Sequence, residues 1–279
     1  MTIKWFPGHM NTARKQIAEA MPKIDVAIEV LDARLPASSG NPLLAELRQH
    51  KPFIKVLNKA DLADPLISKD WIRFFEKSGK GLRALAINAG NIKEATRVPT
   101  LCRSLLPHRG KPGRPLRIMI MGIPNVGKST LINTLAGRRI ARVGDRPAIT
   151  RCAQQIDLRS GVLLYDTPGI LWPNLEDQQG AYRLAASGAI GDNAMDYQAV
   201  ALFAAEYLMQ TYGEFLVERY KLKTLDVEPI ELLDEIGRRR GCLGPGGVVD
   251  SYRAAEALLR DLQGGKLGRI SLEAPPRED

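Results

Sequence analysis

The stretch Gly122-Ile-Pro-Asn-Val-Gly-Lys128-Ser129 constrains this chain more than any other, because it matches the phosphate-binding loop pattern G-x-x-x-x-G-K-[ST]. Such a loop needs a buried strand before it and a helix after it. Residues 116–121, Leu-Arg-Ile-Met-Ile-Met, are short and apolar like a parallel strand, and residues 129–136 read as a helix closed by Gly137. The chemistry is that of the backbone: Gly122 and Gly127 turn amides toward phosphate oxygens, and the helix points the positive end of its dipole at the same charge. The expected phosphate contacts are Asn125, Val126, Gly127, Lys128, Ser129 and Thr130. Lys128 adds a cation at the outer phosphates, and the Ser129 hydroxyl is a ligand for magnesium.

A second apolar strand, expected at residues 52–57, opens into Asn58-Lys59-Ala60-Asp61. Asn-Lys-x-Asp at the end of a buried strand is the guanine-reading motif of GTPases. The Asp61 carboxylate would accept hydrogen bonds from the ring imide and the exocyclic amine of guanine, a pattern adenine does not offer. Asn58 would bond the imidazole edge and tie neighbouring loops together, while the stem of Lys59 lies over the ring. Together the two motifs point to GTP, with GDP as product. An ATP-dependent kinase shares the phosphate loop but not Asp61. A further strand at residues 82–87 ends in Asn88-Ala89. Ser-Ala usually stands there and supplies an amide to the guanine keto oxygen; the serine is absent, and the Ala89 amide is the expected donor.

Downstream, Thr150 is the expected switch threonine that closes over magnesium and the terminal phosphate. Strands at residues 151–158 and 161–164 lead into Asp166-Thr-Pro-Gly169, which places the Asp166 carboxylate near magnesium and the Gly169 amide near the terminal phosphate. With Lys128, Ser129, Thr150 and Asp166 all present, an RNA-binding module that has lost hydrolysis is disfavoured. A regulatory GTPase switched by a protein partner stays open.

The order is permuted, since the guanine motif precedes the phosphate loop. Domain ends often lie close together, and residues 107–115, rich in Pro, Gly and cations, would join the former ends. The expected fold is α/β: a circularly permuted P-loop GTPase domain with a doubly wound, mostly parallel sheet over residues 1–175, then a smaller all-helical domain over residues 176–279. Apolar residues at helical spacing in 178–190, 197–222, 229–240 and 249–262 support the second part. Permutation sets that part directly after the switch at residues 166–170, so it is expected to follow the element that moves on hydrolysis.

The chain has 279 residues and a net charge of +9. No acidic residue falls between Glu94 and Asp145, an interval holding ten lysines and arginines. A solvated surface is the plain explanation; a polyanionic partner, RNA, is the functional one. Arginines 238–240, Arg253, Arg260, Lys266 and Arg269 add a basic cluster to the helical part, either as snorkelling cations or as an RNA-docking surface. Cys102, Cys152 and Cys242 match neither a metal spacing nor a disulfide framework, which favours a reducing compartment. No apolar run has the length of a membrane span, and residues 1–10 lack a signal-peptide core. A cytoplasmic monomer is the expectation.

Trp5-Phe-Pro-Gly-His-Met10, Asp32-Ala-Arg-Leu-Pro36, Asn58-Lys-Ala-Asp61, residues 122–129, Gly144-Asp-Arg-Pro147, Asp166-Thr-Pro-Gly-Ile-Leu-Trp-Pro173 and Arg240-Gly-Cys-Leu243 together resemble the circularly permuted ribosome biogenesis GTPase A family, the YlqF or RbgA type. The resemblance covers nearly the whole chain. It implies a GTPase acting late in maturation of the large ribosomal subunit, binding ribosomal RNA and stimulated by the particle. The chain departs from the family pattern at Thr12, Asn88 and Ala148, none of which removes a catalytic group. Many GTPases place glutamine after Asp-x-x-Gly to orient the attacking water, but here that residue is the apolar Ile170. By resemblance, His9 takes that role, against a structural or RNA-contacting histidine. Asn125 resembles the loop asparagine of GTPases that use potassium in place of an arginine finger.

Overall fold

The computed structural model describes residues 10–48, 50–79, 81–140, 154–158, 160–169, 177–190 and 196–276. Its centre is a six-stranded sheet of β1 (Val26–Asp32), β2 (Phe53–Asn58), β3 (Leu82–Ala86), β4 (Leu116–Met121), β5 (Gln154–Asp157) and β6 (Val162–Asp166). In space the order is β3-β2-β1-β4-β6-β5, with every pair parallel except β5 against β6. Winding therefore reverses between β1 and β4. At such a point the loops leaving the two strands part and open a crevice beyond their carboxyl ends. The loops that leave these strands begin at Ala33 and Gly122.

The strands are buried on both faces, which is why they read as continuous apolar runs rather than alternating ones. Alternate residues feed two cores. Val26, Ile28, Val30, Ile54, Val56, Ile118 and Ile120 face one way. Ala27, Leu31, Phe53, Leu57, Met119 and Met121 face the other, against Ile17 and Met21 and the stacked Trp71 and Phe75 of α3 (Pro65–Ser78).

The first core does not stop at the sheet. It continues into α7 (Gln178–Ala186), α8 (Tyr197–Thr211), α9 (Gly213–Tyr220), α10 (Pro229–Arg239) and α11 (Ser251–Gln263) through residues such as Leu184, Ala201, Leu208, Leu216, Ile236 and Leu258. The carboxyl-terminal part is helical as expected.

The helix α3 begins at Pro65 because the Asp64 side chain accepts from the Leu66 and Ile67 amides and proline suits the first turn. Between β3 and β4 two helices, α4 (Ile92–Ala95) and α5 (Arg97–Leu105), meet at Thr96. The long helix expected over 197–222 is divided at Tyr212: α8 ends at Thr211 and α9 begins at Gly213. Residues 107–115 form a compact turn in which the Gly110 amide donates to the Arg114 carbonyl at 2.8 Å.

Candidate functional site

The loop after β4 is shaped by three residues with positive φ. Gly122 (φ 146°) lies so close to β1 that a Cβ there would sit 2.5 Å from the Val30 carbonyl oxygen. Asn125 adopts φ 59°, and Gly127 φ 95° before the helix α6 (Lys128–Ala136) begins. A chain threaded this way exposes consecutive amides at a helix N-terminus, an anion-binding concavity. Ser129 and Thr130 are half-buried at its edge.

Lys128 is buried, and its Nζ donates to the Ile123 carbonyl at 2.7 Å across the loop. Burial lowers its pKa to about 8, partly offset by the Asp166 carboxylate. Asp166 stands at the end of β6, 1% exposed, and burial raises its pKa to about 6 against the opposing pull of Lys128 and the Thr167 amide. Its Oδ1 has no hydrogen-bond partner among the described residues. A buried carboxylate oxygen in that condition is stabilised by a cation. Thr167 Oγ1 donates to the Ile120 carbonyl at 2.8 Å and so ties this loop to β4. Gly169 crosses the phosphate loop closely, its Cβ position lying 2.9 Å from the Pro124 nitrogen and 3.1 Å from Lys128 Nζ.

The other half of the crevice comes from the loop after β2. Asn58 Nδ2 donates to the Val126 carbonyl at 2.7 Å, and Asn58 Oδ1 accepts from the Ala89 amide at 2.8 Å. One side chain thus joins three loops. The Ala89 amide, the expected donor to the guanine keto oxygen, donates to Asn58 in this structure. Asn88 is also committed, its amide to Glu94 Oε2 and its Oδ1 to the Gly90 amide, each at 2.8 Å. Lys59 takes a left-handed φ of 60°, and Asp61 is exposed beside it. Neither His9 nor Thr150 lies within the described residues, nor do residues 144–150, Ile170 or Cys152. Cys102 is buried, which pushes its thiol up to about 12, and Cys242 is buried too.

Two residues at this crevice were given no role from sequence. Asp32 ends β1 and Arg34 follows it; both are 1% exposed. Arg34 Nε and Nη2 donate to the two Asp32 oxygens at 2.9 and 2.8 Å, and Lys59 Nζ reaches Asp32 at 2.9 Å. Burial alone would raise the Asp32 pKa; the two cations overcome it and hold the carboxyl far below its usual range. Arg34 Nη2 also donates to the Ser187 carbonyl at 3.1 Å, carrying the network into the helical part. Asp and Arg in a loop leaving the carboxyl end of a central strand were the available signal.

The crevice therefore pairs an anion-binding loop with an exposed carboxylate on a neighbouring loop, and the loop bearing the carboxylate comes earlier in the chain. That arrangement is a circularly permuted P-loop GTPase. Residues 117–236 match the family model described as 50S ribosome-binding GTPase. The ribosome biogenesis GTPase A of Bacillus cereus is 46% identical over 99% of this chain and 95% of its own length. The Thermotoga maritima protein of the same name is 31% identical over 98% and 95%. The mouse mitochondrial ribosome-associated GTPase 1 is 33% identical over 97% and 90%. Among solved structures, GDP-bound TM YlqF has a TM-score of 0.69 at 29% identity, over 93% of this chain and 99% of that one. GNP-bound YlqF from T. maritima scores 0.64 at 28% identity, over 94% and 98%. The chain belongs to the ribosome biogenesis GTPase A family and is a GTP hydrolase.

Proposed function

We propose that this GTPase binds the precursor of the large ribosomal subunit, is stimulated by that particle, and promotes late large-subunit assembly. The match of residues 117–236 to a family described as 50S ribosome-binding carries the reading. A net charge of +9 supports ribosomal RNA as the contacted surface.

In this reading Asp61 selects guanine, Lys59 lies over the base, Asn58 holds the base edge, and Asn88-Ala89 stands beside the base with the Ala89 amide as donor to the guanine keto oxygen. The phosphates take the amides of residues 125–130 and of Gly169, with Lys128 neutralising charge that develops in the transition state. The orphaned Asp166 Oδ1 fits a magnesium site completed by Ser129 and Thr150. Bound magnesium would supply charge neutralisation on the phosphate oxygens. Asn125, whose Nδ2 donates to the Gly188 carbonyl at 3.1 Å, is the proposed neighbour of an activating potassium ion. His9 positions the attacking water, a role the apolar Ile170 cannot fill.

The functional division runs at residue 175, with nucleotide chemistry before it and RNA contact after it. Among the described residues no helix is long and apolar enough to cross a membrane. A cytoplasmic monomer completes the proposal. Co-sedimentation with purified subunits tests it: retention on large-subunit particles with a non-hydrolysable GTP analogue, weaker with GDP and falling steeply with salt, is expected. Equal retention on small subunits overturns it.

A further inference from the structure

The stretch after α11 returns to the crevice and lies against the loop that carries Asp61. Arg269 donates through Nη2 to the Ala60 carbonyl at 2.7 Å and through Nε to the Ala63 carbonyl at 2.9 Å. The Ile270 amide donates to the Leu62 carbonyl at 2.9 Å, and the Asp64 amide donates to Ser271 Oγ at 3.2 Å. Asp61 is thus flanked by residues whose backbone groups are held by one segment, distant in sequence. Two residues further on, the same segment grips the loop after β1. The Leu272 amide donates to the Arg34 carbonyl at 2.6 Å, and the Glu273 carboxylate accepts from the Ser38 amide at 3.0 Å and from the Ser38 hydroxyl. Ile270, Ser271 and Leu272 are all at most 1% exposed, so the segment is inserted rather than laid on the surface.

Loop geometry at Asp61 decides whether a carboxylate meets two donors of a planar base together, and a misplacement of about 1 Å costs such recognition dearly. Asn58, Lys59 and Asp64 anchor the two ends of the Asp61 loop, and between them the Ala60 amide donates to the Ile87 carbonyl and the Leu62 amide to the Lys59 carbonyl; the carbonyls of Ala60, Leu62 and Ala63 are held by the distant segment. We propose that residues 269–273 are a positioning clamp for the guanine-reading loop, so that base binding and docking of this segment stabilise each other. This rests on Asp61 reading the base. Coupling of this kind is reciprocal: if the clamp tightens guanine nucleotide binding, bound GDP must tighten the clamp by the same factor. It also links the base to the helical part by a route separate from the switch at residues 166–170.

Two measurements on the full chain test this. Release of a fluorescent GDP analogue is followed for wild type, Arg269→Ala, Arg269→Lys and Asp61→Asn. Loss of two charge-assisted hydrogen bonds that hold the loop should speed release about tenfold in Arg269→Ala. Lysine, which cannot span both carbonyls, should rescue only part, while turnover at saturating GTP stays within about twofold of wild type. In wild type, hydrogen exchange at the Ile270 and Leu272 amides should slow about tenfold on adding GDP. The exchange experiment needs no variant, so it decides the matter even if Arg269→Ala does not fold. Exchange at both amides indifferent to GDP overturns the clamp, as does wild-type release from a folded Arg269→Ala. Unchanged guanine affinity in Asp61→Asn would instead overturn the base reading itself.

Discussion

Asn58 Nδ2 lies 2.7 Å from the carbonyl oxygen of Val126, so the guanine-type loop and the phosphate loop share a hydrogen bond across 68 residues of chain. The bond explains how the site tolerates permutation. Its two halves are adjacent because β1 lies between β2 and β4 in one sheet, whatever order the chain visits them.

The same contact leaves no room at Gly127. A Cβ there would lie 2.1 Å from Asn58 Nδ2, and φ is 95°. Gly127→Ala should therefore displace Asn58 and weaken GDP binding about a hundredfold, the scale of a strained backbone plus a lost hydrogen bond. Gly137→Ala is the control, because Gly137 shares a positive φ of 63° but nothing lies within 4 Å of its Cβ position. It should cost about 1 kcal/mol of stability and leave affinity unchanged. Calorimetric titration and thermal unfolding of the two variants separate crowding from strain.

Asp61→Asn exchanges a double acceptor for a group with one acceptor and one donor. Affinity should move from guanine toward xanthine nucleotides, whose keto group at the exocyclic position accepts what the new side-chain amide would donate. Competition binding of GDP against XDP checks this. Unchanged selectivity contradicts the assignment of Asp61.

Acid titration should expose Asp166. Its pKa in the fold is about 6, above the 3.8 of an unfolded aspartate, so between these values the folded state binds more protons than the unfolded one. The group's contribution to stability therefore falls as pH rises from about 4 to about 6. Lys128, at about 8, stays protonated through that window. In metal-free, nucleotide-free buffer, Asp166→Asn should remove this slope and gain stability relative to wild type above about pH 6. Denaturant titrations at closely spaced pH values measure it; parallel profiles contradict it.

Arg34→Met keeps much of the volume but leaves the buried Asp32 with Lys59 as its remaining cation and breaks the bond to Ser187. Removing one partner of a buried ion pair costs about 3–5 kcal/mol. Urea unfolding should show a loss of that size, and one under about 1 kcal/mol contradicts the role given to this network.

Much of the site was legible because its chemistry is local. Gly122, Gly127 and Lys128 announce a backbone conformation, and residues 116–121 and 129–136 supply the strand and helix it requires. The mostly parallel, doubly wound sheet followed from buried apolar runs and from motifs that sit where those runs end. What escaped was non-local. Asp32 and Arg34 are only two residues apart, but nothing around them reveals that Lys59 joins the pair, since that contact depends on β1 and β2 lying side by side. Nothing around 269–273 marks an inserted segment, because its partners lie about two hundred residues away in the chain. The bond from the Ala89 amide to Asn58 is hidden for a similar reason, since it depends on β2 and β3 being neighbours. The start of α3 at Pro65, by contrast, carried a readable cap in Asp64.

The central claim is tested most directly by GTP turnover with and without purified large ribosomal subunits, in potassium and in sodium buffer, for wild type and His9→Ala. Stimulation by the large subunit in potassium, absent with small subunits and lost in His9→Ala while GTP affinity persists, is the predicted result. Turnover indifferent to the large subunit would contradict a particle-stimulated assembly GTPase, and stimulation that survives His9→Ala would remove His9 from the mechanism.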